Sequence, residues 1–350
     1  MAARRIRAAI RVDASSTIGL GHAMRCLSLV DALRRARHAV TVLSAEMPQA
    51  IIDRYRALGA SVTMLSEVPG SPQDAMATRR VLCEGAVDWL VIDGYRFSAE
   101  WQAAVRVPRV QLLMLDDEAI QPTWNVDVIL NPNLGADVAV YAERAPGAQY
   151  LCGAPYALVR REFLTRRAWT RRIDGAAHRV LITLGGADPD NITARMVEAV
   201  QDIAGLDVRV IIGAANPHRD ALARRLAQDA PPHGTWELLV QVDDMPAQMR
   251  WADVAISAGG TTLWELAMLQ LPALVVQLAE NQRPGLTAYT ATGAAQSLGT
   301  ADTLDIGRVT EQVRALCADV PARRAMARAA ARLVDGGGSE RVVRFMEGGT

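Results

Sequence analysis

Apolar runs of strand length recur along this chain, and helix-length amphipathic stretches fill the gaps between them. No other feature constrains the fold as much. A strand that is apolar on both faces must be covered on both faces, and alternation with helices does this in a parallel α/β sheet. The alternation comes in two series. In the first, strands are predicted at 6–12, 39–44, 62–65, 89–93, 110–116 and 126–131. A helix over 22–37 places Ala23, Cys26, Leu27, Val30 and Leu33 on one face. A less regular stretch, 132–177, then carries an Arg-rich run (RREFLTRRAWTRR) and an Asp174-Gly175 turn, and reads as a connection between domains.

The second series predicts strands at 179–184, 208–212, 236–240, 254–257 and 273–278, with helices at 191–203, 217–228, 261–269 and 282–293. From 305 onward the pattern is helical, and a Gly-rich end is expected to fray. A chain of 350 residues is long enough for two cores. The expected organisation is an N-terminal Rossmann-like domain over 1–165, a second over 178–335 and a helical tail over 336–350. Both domains are expected to be doubly wound, with a cleft between them and ligands beyond the carboxyl ends of the strands.

Composition narrows the chemistry. The chain carries 38 basic and 38 acidic residues, a formal charge of zero, which argues against a dedicated nucleic-acid binder. Every one of the basic residues is arginine. Without lysine there is no Schiff-base chemistry, no P-loop ending in Gly-Lys and no kinase of the usual type. Cys26, Cys83, Cys152 and Cys317 form no CxxC pair and read as reduced thiols of a cytoplasmic protein. The start, MAARRIRAAIRV, lacks a long apolar segment, and no apolar run reaches membrane-spanning length; neither a signal peptide nor a span is expected. The five histidines are isolated, so no metal site is expected, and no GxSxG elbow is present.

Five segments carry the candidate chemistry. After the first strand, Asp13 is followed by a loop, Ser15-Ser-Thr-Ile-Gly19-Leu-Gly21-His22, that opens a helix. Its glycines allow close backbone approach, free amides at a helix start favour an anion, and a histidine there is a candidate base. The spacing is not that of the dinucleotide fingerprint, and the plainer reading is a histidine that caps the helix. Asp93-Gly94-Tyr95 and Asp116-Asp117 close two neighbouring strands, where a carboxylate could orient a histidine or bind a hydroxyl; loop capping is the plainer role. Thr183-Leu-Gly185-Gly186-Ala-Asp188-Pro-Asp190-Asn191 offers paired glycines to a cleft and a helix cap from Asp190 or Asn191. Most informative is Ser257-Ala-Gly259-Gly260-Thr261-Thr262-Leu-Trp264-Glu265, followed by Glu280-Asn281-Gln282. Backbone amides and hydroxyls at such a turn cradle a diphosphate without lysine, and Glu265 stands one turn along, in reach of ribose hydroxyls. A helix capped by an ordinary threonine is the alternative. Trp124, between two predicted strands, stands out among the seven tryptophans as a packing or site residue.

Taken together, RVDASSTIGLGHAMRCLSL, the Asp-Asp pair with Asn131-Pro-Asn133, YALVRREF from Tyr156, ITLGGADPDN, and AISAGGTTLWELA with AENQ resemble the nucleotide-sugar hydrolases of pseudaminic-acid biosynthesis and the related spore-coat polysaccharide proteins. The motifs keep that family's order over roughly 6–300. The Gly-Gly-Thr-Thr…Glu segment also resembles the nucleotide site of the peptidoglycan N-acetylglucosaminyltransferase. The resemblance implies a GT-B fold and hydrolysis of UDP-2,4-diacetamido-2,4,6-trideoxy-β-L-altropyranose to free sugar and UDP, with water as acceptor and no cofactor or metal. It implies His22 as the base that activates water. On the substrate side it implies Asp13, Gly19, Gly21, Arg25, Asp93, Tyr95, Asp117, Arg160, Asn281 and Gln282. On the nucleotide side it implies Gly185, Gly186, Ser257, Gly259, Gly260, Thr261, Thr262 and Glu265. Two departures fall in the sugar half. Gly94 stands where the family has a histidine, and Gln121-Pro-Thr-Trp124 lacks the histidines that follow the Asp pair. Another amino- or deoxy-sugar nucleotide therefore stays open as substrate. A GT-B glycosyltransferase with an alcohol acceptor is the second reading, and a non-catalytic sugar-nucleotide binder the third.

Overall fold

The computed structural model describes residues 5–15, 18–165, 169–186, 188–214, 216–228 and 234–349. Ser16 and Thr17 of the first loop, Ala187 of the fourth motif and Arg166-Arg167 of the Arg-rich run lie outside the described residues. The chain divides into two compact units, residues 1–161 with 336–350, and residues 162–335.

The first unit is built on β1 (Arg7–Val12), β2 (Ala39–Ser44), β3 (Ser61–Met64), β4 (Trp89–Asp93), β5 (Gln111–Leu115), β6 (Val128–Asn131) and β7 (Gln149–Cys152). They form one parallel sheet in the order β3-β2-β1-β4-β5-β6-β7. Composition sets position in the sheet. The WLVID of β4 is buried throughout, as a central strand must be, whereas the SVTM of β3 is mostly exposed at an edge. The helix Gly21–Arg35 crosses from β1 to β2, burying Ala23, Cys26, Leu29, Val30 and Leu33 against the sheet, with Leu27 half-buried beside them.

The second unit repeats this design with β8 (Arg179–Thr183), β9 (Asp207–Ile212), β10 (Trp236–Val240), β11 (Val254–Ala258), β12 (Ala273–Gln277) and β13 (Ala295–Thr300). Their order is β10-β9-β8-β11-β12-β13, again parallel. Each sheet therefore winds first to one side of its opening strand and then to the other. The reversal lies between β1 and β4 in the first unit and between β8 and β11 in the second. There the loops leave in opposite directions and open a crevice at the strands' carboxyl ends.

Three features differ from the sequence expectation. The stretch 132–177 is partly regular: Asp137 accepts a hydrogen bond from Ala139 N and opens a helix, Val138–Arg144, which leads to β7. Four residues at a half-exposed edge leave too short an apolar run to announce a strand. The polar AQSLGT of β13 was hidden for the same reason, being an edge strand with exposed side chains. Finally, the Gly-rich end does not fray over Gly338–Met346. That helix belongs to the first unit, with Val342, Val343 and Met346 in its core and Met346 O accepting from Trp89 Nε1 at 3.1 Å. Gly338 passes so close to Ala157 that a Cβ would meet its carbonyl oxygen. A chain end held by buried apolar contacts has nothing to gain from fraying.

Candidate active site

At the first crevice, β1 and β4 run side by side, and Val12 pairs with Asp93 at their carboxyl ends. The loop after β1 turns at Gly19, whose φ of +84° suits glycine and whose N–H closes onto Ser15 O at 2.9 Å. Gly21 opens the helix, so His22 projects from its first turn directly above the end of β4. Its Nδ1 lies 2.7 Å from Asp93 Oδ1. Asp93 is fully buried. Burial opposes its charge, yet the Arg25 guanidinium and His22 hold its carboxyl well below the usual carboxylate range. An ionised Asp93 can only accept, so Nδ1 carries a proton, and in the neutral imidazole the lone pair is then on Nε2. That is the tautomer a general base needs. The Tyr95 ring meets the imidazole edge-on, 4.9 Å between centroids.

Arg25, one helical turn after His22, spans two carboxylates. Its Nε lies 2.7 Å from Asp93 Oδ2, its Nη2 reaches Asp93 Oδ1, and its Nη1 lies 2.7 Å from Asp117 Oδ2. The neighbouring Asp116 does something else: it accepts from Tyr141 Oη at 2.6 Å and from Ala119 N, and so pins the loop after β5. Burial raises its carboxyl despite the bond from Tyr141. Asn131 donates to the same Tyr141 hydroxyl, and its Oδ1 accepts from Asn133 N. Trp124 packs edge-on against Tyr141 and is core.

Asp13 sits in a network that the sequence did not reveal. Its Oδ1 accepts from Arg11 Nη1 at 2.7 Å, from Ser44 Oγ and from the amides of Ala45 and Glu46. Arg11, wholly inaccessible, also forks onto Asp74 and lies over the Phe97 ring. Asp13 thereby ties β1 to the loop after β2. The signal available was a second arginine, Arg11, inside the apolar run that follows Arg7 in β1, which demanded a buried partner. Arg160 lies half-buried in the extended segment after the turn Ala154–Tyr156. Gly94 has φ +144°, and a Cβ there would stand 3.1 Å from Phe97, so a histidine at this position would be strained and crowded.

The second crevice is made differently. After β8, Gly185 takes φ +98°, and Gly186 O accepts from Gly213 N at 3.1 Å, an approach so close that Gly213 has no room for a Cβ. The helix Ile192–Gln201 is capped by neither Asp190 nor Asn191. Asp188 reaches over with both oxygens, to Ile192 N at 2.9 Å and Thr193 N at 2.8 Å. Asn191 occupies the cap position in a left-handed conformation, which turns its side chain from the task.

Near the carboxyl end of β11, Ser257 is buried with an unpartnered Oγ among the described residues. Gly259 lies under Gln282 and Leu286, whose atoms would stand 3.2–3.3 Å from a Cβ, and Gln282 Nε2 is 4.0 Å from that of Gly260. Gln282 Oε1 is fixed by Leu278 N at 2.9 Å. The loop after β12, with Asn281 in the turn Glu280–Gln282, thus folds onto the two glycines. Thr261 precedes the helix Thr262–Met268 with helical dihedrals and no side-chain cap bond, so its hydroxyl does no ordinary capping. Glu265 is buried in the first turn. Among the described residues no group of three His, Cys, Asp or Glu could hold a metal ion, and no helix is long and apolar enough to cross a membrane.

Residues 180–336 match the model of the glycosyltransferase family 28 C-terminal domain. The spore coat polysaccharide biosynthesis protein SpsG of Bacillus subtilis is 29% identical over 171 residues, 48% of this chain and 49% of that protein. The chain thus spans about half the length of that relative. Among solved structures, Acinetobacter baumannii MurG superposes with a TM-score of 0.71 at 15% identity, covering 99% of this chain and all of MurG. The spinosyn rhamnosyltransferase SpnG, complexed with thymidine diphosphate, gives 0.66 at 16% identity, covering 98% of this chain and all of that one. The fold is that of the GT-B glycosyltransferases, two parallel-sheet Rossmann-like units, and the second unit matches a glycosyltransferase domain over nearly its whole length.

Proposed function

We propose that the chain is a GT-B enzyme that transfers a glycosyl group from a nucleoside diphosphate sugar to an alcohol. The observation that carries this reading is the His22–Asp93 pair: a buried carboxylate fixes the imidazole so that Nε2 is free to take a proton. In the reaction, Nε2 accepts the proton of the acceptor hydroxyl while its oxygen bonds to the anomeric carbon. The bond from that carbon to the diphosphate oxygen breaks, and the nucleoside diphosphate leaves with the electron pair. In the second unit, the amides of Gly259 and Gly260 and the hydroxyls of Ser257, Thr261 and Thr262 meet that charge, while Glu265 binds the ribose.

Hydrolysis, which the motif resemblance implies, differs in the acceptor alone. The family 28 domain and the glycosyltransferase neighbours support transfer to an alcohol instead. The strained place for a side chain at Gly94 supports a donor sugar other than the diacetamido-trideoxyhexose of the pseudaminic-acid enzymes. A panel of UDP- and dTDP-sugars, with and without alcohol acceptors, tests this. Acceptor-dependent release of nucleotide with a new glycoside is the expected result. Equal release of free sugar without acceptor makes the protein a hydrolase, and no turnover on any donor overturns the enzyme reading. Glu265→Ala should weaken nucleotide affinity, and unchanged affinity removes its ribose role.

A further inference from the structure

Arg25 was placed by resemblance among the substrate ligands, but its geometry points inward. It is buried, and three of its five N–H groups, one on each nitrogen, already meet Asp93 and Asp117. The two carboxylates come from the ends of adjacent strands and are read by opposite sides of one guanidinium. Such a planar fork is pre-organised for two oxygens of one carboxylate and one of another. Asp93 is fully buried and passes its other contacts to His22 and to the Cys26 thiol, which donates to Oδ2 at 3.3 Å. Asp117 is different: Oδ2 faces Arg25, while Oδ1 is buried and has no hydrogen-bond partner among the described residues. A buried carboxylate oxygen left without a donor is costly, and a ligand that supplies one removes the cost.

We propose that Arg25 touches no substrate: it is a positioning residue that holds Asp93 as the anion behind His22 and fixes Asp117 so that Oδ1 accepts from a hydroxyl or amide N–H of the donor sugar. Two consequences separate this from direct binding. Arg25 Nη2 lies 3.1 Å from His22 Nδ1, so the guanidinium adjoins the imidazole as well as holding Asp93 ionised. The guanidinium therefore affects the base and the sugar site together, through two different carboxylates. The Asp117 half of the proposal rests on the sugar-nucleotide reading above; the His22 half does not.

The full chain is compared with Arg25→Met, Arg25→Lys and Asp117→Asn by imidazole 15N shifts, by the pH–rate profile and by binding of nucleotide sugar against UDP alone. In the unmodified protein His22 should show a protonated Nδ1 and a bare Nε2 above the acidic limb of activity. Arg25→Met should lose that pattern at the same pH and move the acidic limb to higher pH. Asp117→Asn should leave the nitrogens and the limb in place and weaken nucleotide-sugar binding on the order of tenfold, the worth of one charged hydrogen bond, with UDP affinity unchanged. Arg25→Lys keeps a charge but cannot reach both carboxylates. It should keep the limb and reproduce the binding loss, and it carries the test if Arg25→Met does not fold. Arg25→Met that lowers only sugar affinity, with imidazole and limb unmoved, makes Arg25 a substrate ligand and overturns the proposal. Asp117→Asn without effect on sugar binding overturns the Asp117 half. If the chain binds no sugar nucleotide, the function and the Asp117 half fail together, and the imidazole nitrogens still decide Arg25.

Discussion

The two units share one topology and spend it on opposite chemistry. In the first, the crevice between β1 and β4 holds a buried imidazole, a guanidinium and two carboxylates. In the second, the equivalent crevice between β8 and β11 holds glycines, hydroxyls and two buried carboxylates, Glu265 and the helix-capping Asp188. A doubly wound sheet supplies a place beyond its strands, and loop residues decide what happens there. Buried charges need partners fixed to a fraction of an ångström, so the first crevice is built from side chains that bond one another. A diphosphate needs backbone amides at close range, so the second is built from residues that keep side chains out of the way.

Substitutions that exchange the demands of the two crevices would break this contrast. The largest effect is expected at His22. His22→Ala should lower turnover ~10²–10⁴-fold, the usual worth of a positioned base, while calorimetry finds UDP affinity unchanged; a loss of UDP affinity would erase the division of labour. Next is Asp93→Asn, which leaves the buried Arg25 with Asp117 as its anionic partner and should cost about 3–5 kcal/mol in denaturant unfolding. The same residue sets an acid limit. Because Asp93 is held below its ordinary range in the folded state, its stabilisation is complete above about pH 4 and is lost as pH falls further. Stability of Asp93→Asn should therefore depend less on pH in that acid range than that of the unmodified chain.

Smaller effects are expected in the second unit. Gly260→Ala meets no atom closer than 4.0 Å. It should leave the melting temperature alone and weaken UDP binding about tenfold, or ~1.4 kcal/mol, by intruding on the ligand. A lowered melting temperature with unchanged affinity would make the glycine structural. Smallest is Asp188→Ala, which removes a helix cap and should cost about 1 kcal/mol in thermal unfolding, with UDP affinity nearly constant.

Much of the second crevice was legible in the sequence, because its signals are local. Paired glycines after an apolar run mark a strand entering a tight turn, whatever the rest of the chain does. The cap was misplaced by two or three residues, at Asp190 or Asn191 instead of Asp188, because two left-handed residues, Asp188 and Asn191, bend the segment back on itself. The first crevice was legible as parts. His22, Asp93 and Asp117 were each visible as polar residues at strand or helix ends, whereas no local pattern marked Arg25, which the family resemblance alone singled out as a substrate ligand. Arg11 stood at the start of a motif without a role and Asp74 was passed over, since their pairing joins positions 63 apart.

By itself, the sequence determined the parallel α/β class, the two series of strands and the segments that carry chemistry, because these follow from periodicity and from what glycine and polar residues do to a nearby backbone. Tertiary structure decided which polar residues meet. The reversal of strand order beside β1 brings Asp93 to His22, and one arginine then gives the neighbouring carboxylates different tasks. Such pairings depend on contacts across 68 to 92 residues, and on burial that makes each charge answerable to its neighbour. No local pattern records either.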